Sequence, residues 1–462
     1  MATGSTTRSI SDSVSRLRAT FDSGVTRSLD WREAQIDGVI RFLEEHSGGL
    51  LDAMQSDLGR PRAEGWLADL APTVVEAKYI KKHFRKWASP RRAKLPLVLL
   101  PGSARIIPEP LGVALIISPW NYPVNLVLEP LVAALAAGNV AACKPSELAP
   151  ATSHLIATEL PAYLDDGAIA FFEGGPEVST ELLEERFDHI FFTGSTHVGK
   201  IVMTAAAKHI TPVVLELGGK SPVIVADDAD IDVAASRIAW GKTLNAGQTC
   251  IAPDYVLVTP ANRDALVDRI AATWTSFYGP SPMESADFAR IVSEKHHQRL
   301  IGLLDGQTIA FGGDNDPAAK YLGPTMVIDP DLSSPLANEE IFGPILPIIT
   351  VSGVDDAIRF VNERPKPLSL YVFSGRGDIT ERVIERTSSG GACINHVLFH
   401  FAPPELPFGG VGPSGMGRYH GKSGFDTYSN LKSVLKKPVA GEHTLTYPPF
   451  TERKRKLLRK LT

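Results

Sequence analysis

Apolar residues recur at three- and four-residue spacing along the first eighty positions, which is the period of amphipathic helices. The pattern is clear in residues 30–59, DWREAQIDGVIRFLEEHSGGLLDAMQSDLG, where Gly48, Gly49 and Gly59 interrupt it. The prolines of the next stretch, residues 87–110, favour extended segments and turns over a long helix. These patterns predict a helical N-terminal region followed by an extended segment.

Short, continuously apolar runs replace this pattern from residue 111 onward. The runs GVALIIS, NVAACKPS, HIFFTGS and PVVLELGG alternate with helical stretches such as LEPLVAALAAG. Buried parallel strands have this continuous apolar character, so the alternation predicts a sheet with helices on both faces. A second alternating series begins after position 217, with YVLVTP, LPIITV and LSLYVFSG among its strands. The sequence therefore predicts an α/β protein with two α/β domains.

Size and composition indicate a globular protein of ordinary type. A chain of 462 residues predicts two or three domains, since a domain usually holds about 100–200 residues. The net charge of −5 argues against nucleic-acid binding, which normally needs a basic face. No apolar run approaches the ~18 residues of a membrane span, and the first residues lack the apolar block of a signal peptide. Because three cysteines are too few for a disulfide framework, we expect a cytoplasmic protein.

The C-terminal stretch TERKRKLLRKLT, residues 451–462, is a local exception because six of its twelve residues are Lys or Arg. Its composition favours a solvated, frayed terminus. The alternative is a contact with an anionic membrane surface.

The three cysteines lie in different contexts. Cys143 in NVAACKP and Cys393 in GGACINH follow apolar, strand-like residues, where a free cysteine usually packs as a small hydrophobe. Cys250 instead follows NAGQT, which can form a turn with exposed amides. A free thiol with a pKa near ~8.5 is only slightly ionised at neutral pH, and a helix N-terminus or a nearby cation raises the thiolate fraction. From this context alone, a catalytic and a structural role for Cys250 stay equally open.

Two polar residues follow strand-like runs and are further candidates. Glu216 ends the apolar run of TPVVLELGG, and sites in open α/β sheets form beyond the carboxyl ends of strands. A partly desolvated carboxylate there has a raised pKa and serves as a base, whereas the alternative is a capping or ion-paired glutamate. Asn121 in SPWNYP follows GVALIIS and is a candidate oxyanion donor. The alternative for Asn121 is a turn residue between Pro119 and Pro123.

Other strand ends suggest contacts to a phosphate-bearing ligand. FFTGSTHVGK offers a strand–glycine–helix junction, where free amides can bind a pyrophosphate, although its spacing is not the common dinucleotide fingerprint. Lys144 and Glu147 of CKPSE are candidate ribose contacts or plain surface charges. The 12 histidines show no spacing typical of a metal site, and no nucleophile-elbow pattern is present.

Seven stretches together resemble the aldehyde dehydrogenase superfamily, because they occur in that family's order along nearly the whole chain. These are PWNYP, KPSE, FTGSTHVGK, LELGGKSP, NAGQTCIAPDY, EEIFGPILPI and PFGGVGPSGMGRYHG. The presence of DLGRP and YHGK, little sequence before the first helix and a chain that ends near YPPF make it most similar to the class 3 branch.

The resemblance implies a Rossmann-like cofactor domain, a second α/β catalytic domain and a small β arm that pairs subunits into a homodimer. The expected ranges are 1–82 and 104–216 for the cofactor domain, 217–402 for the catalytic domain, 83–103 and 403–437 for the arm, and 438–462 for the tail.

The same resemblance implies roles for individual residues. Cys250 is expected to be the nucleophile, Glu216 the base, and Asn121 with the Cys250 amide the oxyanion hole. NAD or NADP is the expected cofactor; Glu147 disfavours the 2′-phosphate of NADP and Lys144 offsets this. The expected cofactor contacts are Trp120, Lys144, Glu147, Gly194, Ser195, Gly199, Leu217, Gly218, Glu340 and Phe342, and the expected substrate pocket contains Tyr122, Thr249, Ile251 and His420.

The implied activity is NAD(P)-dependent oxidation of a small-molecule aldehyde to a carboxylic acid, with medium-chain aliphatic or aromatic aldehydes favoured. His396 stands where many relatives have an acidic residue, which weakens any transfer of substrate preference. A CoA-acylating dehydrogenase is an alternative against which Glu216 argues. The EEIFGP stretch argues against a thiol hydrolase, and the complete set of Cys250, Glu216 and Asn121 argues against a non-enzymatic protein.

Overall fold

The N-terminal region is helical, as the spacing of apolar residues predicts. The structure is a computed structural model that describes residues 9–440 and 443–461. Ser9 and Ser28 cap the first two helices through bonds from the amides of Asp12 and Trp31, and Gly59, with φ of 58°, ends the third. The helices are α1 (Ile10–Asp22), α2 (Leu29–Glu45), α3 (Ser47–Leu58), α4 (Arg62–Gly65) and α5 (Ala71–Trp87), with a π-helical turn at Trp66–Leu70.

A six-stranded sheet forms the first α/β layer, with five parallel strands built from the continuous apolar runs. After the extended strands β1 (Arg91–Ala93) and β2 (Ser103–Pro110), the chain continues as β3 (Val113–Ile117), α6 (Asn125–Ala137), β4 (Val140–Lys144), α7 (Pro150–Glu159), β5 (Ile169–Phe171), α8 (Pro176–Glu184), β6 (His189–Thr193), α9 (Thr196–Ala207) and β7 (Val213–Glu216). The parallel strand order is β7-β6-β3-β4-β5. Helix α6 is buried along its whole length, between this sheet and helices α2 and α5.

A second, seven-stranded sheet follows. Its region contains β8 (Pro222–Val225), α10 (Ile231–Thr243), β9 (Tyr255–Val258), α11 (Pro260–Tyr278), α12 (Glu294–Gly302), β10 (Ile309–Phe311), β11 (Asn315–Asp316), β12 (Tyr321–Leu322), β13 (Thr325–Ile328), α13 (Pro335–Asn338), β14 (Ile345–Thr350), α14 (Val354–Asn362), β15 (Ser369–Phe373), α15 (Gly377–Arg386) and β16 (Gly391–Ile394). The sheet order is β10-β13-β14-β9-β8-β15-β16, parallel apart from β10. The α/β class expected from the sequence is confirmed.

The chain closes with β17 (Gly415–Met416), α16 (Gly421–Thr427), β18 (Ser429–Lys436) and α17 (Glu452–Leu461). The stretch SNLKSVLKK is a strand, since β18 pairs antiparallel with β2 along eight residues in a three-stranded sheet with β1. The domain boundaries stay a prediction, but two segments pair differently from their expected grouping. Residues 104–110 lie in this three-stranded sheet, because Gly112, with φ of 146°, turns the chain between β2 and β3. Residues 415–416 instead pair with β7.

The basic C-terminal segment forms α17, which contacts residues 97–99 and leaves most of its Lys and Arg side chains exposed. Its interpretation as a solvated terminus stays a prediction. Within residues 9–440 and 443–461, no helix is both long and apolar enough to cross a membrane.

Candidate active site

A cavity of about 750 Å³ lies where the carboxyl ends of β3, β6 and β7 face the second α/β region. Because parallel strands end at one edge of their sheet, residues far apart in the chain meet there. The cavity wall contains most of the site residues expected from the sequence: Trp120, Asn121, Tyr122, Gly194, Ser195, Glu216, Leu217, Gly218, Thr249, Cys250, Ile251, Glu340 and Phe342.

Three expected cofactor contacts lie outside this wall as the described residues define it. Lys144 is buried at the end of β4, and its Nζ lies 2.8 Å from Oε2 of the exposed Glu147. Gly199 is buried in α9, where an added Cβ would lie 2.7 Å from Leu217. Lys144 and Glu147 therefore form an ion pair at the neighbouring strand end, and Gly199 serves the packing of α9.

His420 also differs from its expected place in the substrate pocket. It is buried at the start of α16, where its Nε2 lies 3.3 Å from Oε2 of Glu129, and burial lowers its pKa to about 4. The rings of Phe401 and Phe408 pack against it and line the cavity themselves. His420 therefore supports the cavity wall from behind, because aromatic rings lie between it and the cavity.

A strained turn presents Cys250. Asn245, Ala246 and Gly247 are consecutive residues with φ of 52°, 51° and 74°. This left-handed conformation is costly for residues other than glycine, so the surroundings must enforce it. Gln248 does so: its Nε2 donates to the carbonyls of Asn245 (3.0 Å) and Arg290 (2.9 Å), and its Oε1 accepts from the amide of Val292 (2.9 Å).

The charged groups facing the thiol are carboxylates. Burial is the largest cause that raises the pKa of Cys250, and Glu340 and Glu216 raise it further. Carboxylates therefore stand where the sequence left open a cation or a helix N-terminus. The backbone N–H groups of Cys250 and Ile251 lower the pKa of the thiol, but by less than burial raises it. Burial and the neighbouring carboxylates therefore favour the neutral thiol, so a base that takes its proton would activate it as a nucleophile.

Glu216 ends β7 with its carboxyl group buried and unpaired. Neither Oε1 nor Oε2 has a hydrogen-bond partner within the described chain. Desolvation raises the pKa of Glu216 well above its usual value, although Arg418 acts in the opposite direction. A carboxylate without solvating partners is a strong base toward any proton that enters the cavity. Glu216 thus has the properties of a general base rather than those of a capping or ion-paired residue.

Asn121 joins the strand end of β3 to the Cys250 turn. Its Nδ2 donates to the carbonyl of Gln248 at 3.0 Å, two residues before the cysteine. Its Oδ1 is buried and has no partner in the part of the chain that the structure describes. The neighbouring Tyr122 hydroxyl lies 2.6 Å from Oγ1 of Thr249, so both residues tie this loop to the cysteine turn.

The other end of the cavity has features suited to a dinucleotide. Gly194 and Ser195 line the cavity just before α9, and the Ser195 side chain caps this helix by accepting the amide of Val198, so the helix N-terminus lies next to the cavity wall. Phe342, with φ of 51°, packs edge-on against Trp120 at 5.5 Å between ring centres. Oε1 of Glu340 is buried without a partner among the described residues, and desolvation raises the pKa of this carboxyl to about 8.

Several cavity residues were missed by sequence reasoning. His296 and Arg299 of α12 reach the same end: His296 packs against Trp120, and Arg299 donates to the carbonyl of Glu340 at 3.3 Å. The run EKHHQRL offered a signal, since two basic residues three apart lie on one helix face. Many apolar residues of the cavity wall could not be identified from the sequence, because an apolar residue that lines a cavity looks the same in sequence as one in the hydrophobic core. They include Leu67, Leu126, Trp240, Leu398, Phe399, Phe401, Phe408 and Tyr419.

His396, the departure noted in the sequence, lies behind this apolar wall. Its ring stacks on Phe399 at 4.0 Å. In the described residues, no cluster of His, Cys, Asp or Glu could hold a metal ion.

Residues 3–434 match the aldehyde dehydrogenase family. The chain belongs to this family. It is 48% identical over 443 residues to aldehyde dehydrogenase family 3 member A2 of Rattus norvegicus, covering 96% of this chain and 92% of the relative. It is also 46% identical to a rat protein named aldehyde dehydrogenase, dimeric NADP-preferring. That match covers 96% of this chain and 98% of the relative.

Solved structures agree with this assignment. The fold matches a substrate-bound Staphylococcus aureus AldH with a TM-score of 0.95 and 42% identity, covering 98% of this chain and 100% of that one. It also matches an indole-3-acetaldehyde dehydrogenase in complex with NAD+, with a TM-score of 0.85 and 27% identity over 92% and 88% of the chains. The chain is an aldehyde dehydrogenase that uses NAD or NADP.

The residues at this end of the cavity fit a dinucleotide cofactor. A substitution at Gly218, next to Glu340, tests this fit. A Cβ at Gly218 would lie 1.9 Å from Oε2 of Glu340. We expect Gly218→Ala to displace that carboxylate and to raise the Kd for NAD(P)+ about tenfold or more, which is the effect of losing one charged hydrogen bond. Quenching of tryptophan fluorescence by the cofactor measures this Kd.

Gly219→Ala is the matched control. Its Cβ would lie 3.4 Å from the nearest atoms, an ordinary contact, and its amide remains free to bond Glu340. Equal affinities in the two variants would show that Glu340 does not contact the cofactor.

Proposed function

We propose that this aldehyde dehydrogenase oxidises medium-chain aliphatic or aromatic aldehydes to carboxylic acids through a thioester on Cys250. The observation that supports this most strongly is the position of Glu216: a buried, unpaired carboxyl group shares one cavity wall with Cys250 and Asn121.

The protein residues have distinct tasks in this reaction. The Cys250 thiol, after losing its proton to Glu216, adds to the aldehyde carbon. The amide of Asn121 and the backbone N–H of Cys250 stabilise the resulting alkoxide. Amides at the start of α9, together with Glu340, Phe342 and Trp120, would hold the cofactor, which when bound would supply the hydride acceptor for the oxidation of this carbon.

The thioester is then hydrolysed. Glu216 first releases to solvent the proton that it took from Cys250. It then takes a proton from water, which adds to the thioester carbonyl; the intermediate expels the Cys250 thiolate and releases the carboxylic acid, and Glu216 returns its proton to the thiolate. The CoA-acylating alternative needs no buried base. The unpaired Glu216 therefore favours water as the acyl acceptor.

Glu216 and Cys250 are tested by separating the two half-reactions. Cys250→Ala is expected to abolish aldehyde-dependent formation of NAD(P)H. Glu216→Gln removes the base from both half-reactions, so the burst of NAD(P)H and the hydrolysis of the thioester should each slow by about 10²–10⁴-fold, the usual contribution of a general base. Mass spectrometry of quenched enzyme locates the acyl group, and an adduct elsewhere, or turnover without Cys250, would refute the mechanism.

The pH profile supplies an independent check. Only the ionised form of Glu216 acts as a base, and burial raises its pKa. Deacylation should therefore rise with pH through a pKa well above that of an ordinary glutamate, and Glu216→Gln should remove this dependence.

The substrate preference follows from the apolar wall of the cavity. Longer alkyl chains bury more surface there, and each added methylene is worth about 0.8 kcal/mol, or roughly fourfold in kcat/KM, until the cavity is filled. A series of straight-chain aldehydes and benzaldehyde, read by absorbance of the reduced cofactor, checks this. Phe399→Ala removes a ring at the cavity wall and should lower kcat/KM for long aldehydes selectively, whereas Phe277→Ala, at an exposed position of α11, should not. Equal kcat/KM values for all the aldehydes of the series would contradict the preference for longer or aromatic substrates.

We further propose that the enzyme is a cytoplasmic homodimer that pairs through the three-stranded sheet. A rat relative is named dimeric, and β18 is an edge strand with exposed Leu431 and Leu435. The free state of all three cysteines supports a reducing compartment.

Light scattering should give twice the chain mass of 49.8 kDa. Leu435→Glu should shift the enzyme toward monomer, while Ile210→Glu, at an exposed position on the loop after α9, should not. A monomeric wild type would contradict the proposal.

A further inference from the structure

Arg60 is a fully buried cation beside the loop that carries Asn121 and Tyr122. Its Nη1 lies 3.1 Å from Oδ2 of Asp69, and its Nε lies 3.3 Å from Oε1 of Glu64. Its guanidinium carbon lies 4.4 Å from the centre of the Tyr122 ring. Taking such a charge out of water is costly, so a buried arginine is kept only where its partners compensate.

These partners hold the two loops that form the proposed oxyanion hole. Oε1 of Glu64 accepts the amide of Asn245 at 2.6 Å, at the first left-handed residue of the cysteine turn. Oδ1 of Asp69 accepts the amide of Asn125 at 2.6 Å, where α6 begins after the Asn121 loop. Nη1 of Arg60 itself lies 3.5 Å from the carbonyl of Asn121. One guanidinium therefore connects the Asn121 loop with the cysteine turn, through the carboxylates of Glu64 and Asp69 and through its own contact with the Asn121 carbonyl.

The Tyr122 hydroxyl, 2.6 Å from Oγ1 of Thr249, bonds the two loops directly, and two asparagine side chains do the same. Nδ2 of Asn245 donates to the carbonyl of Asn121 at 2.8 Å, and Nδ2 of Asn121 donates to that of Gln248 at 3.0 Å. The ring of Tyr122 fills the space between Arg60 and Thr249. Removing the guanidinium would leave the relative position of Asn121 and Cys250 to these contacts alone.

We propose that Arg60 is a positioning residue for the oxyanion hole, acting through Glu64, Asp69 and Tyr122. The inference rests on the proposed thioester mechanism. A misplacement of about 1 Å in a reacting group can cost about a hundredfold in rate, so a support of this kind affects acylation even though it touches no substrate.

Arg60→Lys keeps the charge but loses the planar fork that serves Asp69, Glu64 and the Tyr122 ring together. The acylation burst of NAD(P)H should slow by about a hundredfold. The Kd for NAD(P)+ and the rate at which iodoacetamide alkylates Cys250 should stay within about twofold, because neither requires the oxyanion hole. Arg62→Lys is the matched control, since Arg62 pairs with Asp52 on the surface and should leave all three measurements unchanged.

A double variant tests whether Arg60 acts by positioning the loops or only by neutralising the buried charge of Asp69. Arg60→Met with Asp69→Asn removes the fully buried ion pair without leaving an unpaired charge in it, and the side-chain carbonyl introduced by Asp69→Asn can still accept the amide of Asn125. We expect this variant to fold with a lowered melting temperature, because Glu64 loses its cation, and to show a slow burst. Glu64→Gln, which keeps the acceptor for Asn245, should show a smaller loss.

Three outcomes would overturn the inference. They are a wild-type burst in Arg60→Lys, a wild-type burst in the double variant, or an equal loss of burst, cofactor binding and alkylation, which would assign Arg60 to stability alone. The absence of an acyl adduct on Cys250 in the wild-type enzyme would refute the proposed mechanism instead, so the two failures are distinguishable.

Discussion

Desolvation of one carboxyl group is the constraint on which the proposed chemistry depends. Glu216 lies at the end of a buried strand, with both oxygens unpaired among the described residues and its pKa raised by desolvation. In water the same group would be a weak base. Burial raises the pKa of Glu216, and burial together with the nearby carboxylates of Glu340 and Glu216 also raises the pKa of the Cys250 thiol, so the proposed proton transfer joins two desolvated groups in one cavity.

This arrangement requires unusual backbone conformations. Three consecutive left-handed residues present Cys250, and Phe342 is left-handed as well. Such positions persist only where the surroundings determine them, and here the side chain of Gln248 and the carboxylate of Glu64 supply the bonds. The fully buried Arg60 and Asp69 extend this support to the Asn121 loop, so that three segments distant in sequence share one set of buried polar contacts.

The parallel strands could be predicted because they are buried on both faces and consist of continuous apolar runs, as in HIFFT and VALII. Short elements between residues 309 and 328 could not, since β10 to β13 have two to four residues each, and such runs carry too little pattern to predict. The β17 pairing with β7 was also unpredictable, because its partner lies about 200 residues away.

The sequence by itself determined the α/β class and the family resemblance, because these depend on local pattern. From that resemblance and from the residues that follow strand ends, it predicted roles for Cys250, Glu216 and Asn121. Only the tertiary structure decided what surrounds them. It placed His420 behind the aromatic wall, carboxylates rather than a cation beside the thiol, and Arg60 under the Asn121 loop. The physical reason is that desolvation and charge pairing depend on which distant segments pack together. The residue type of a polar side chain does not show whether that side chain is solvated or buried.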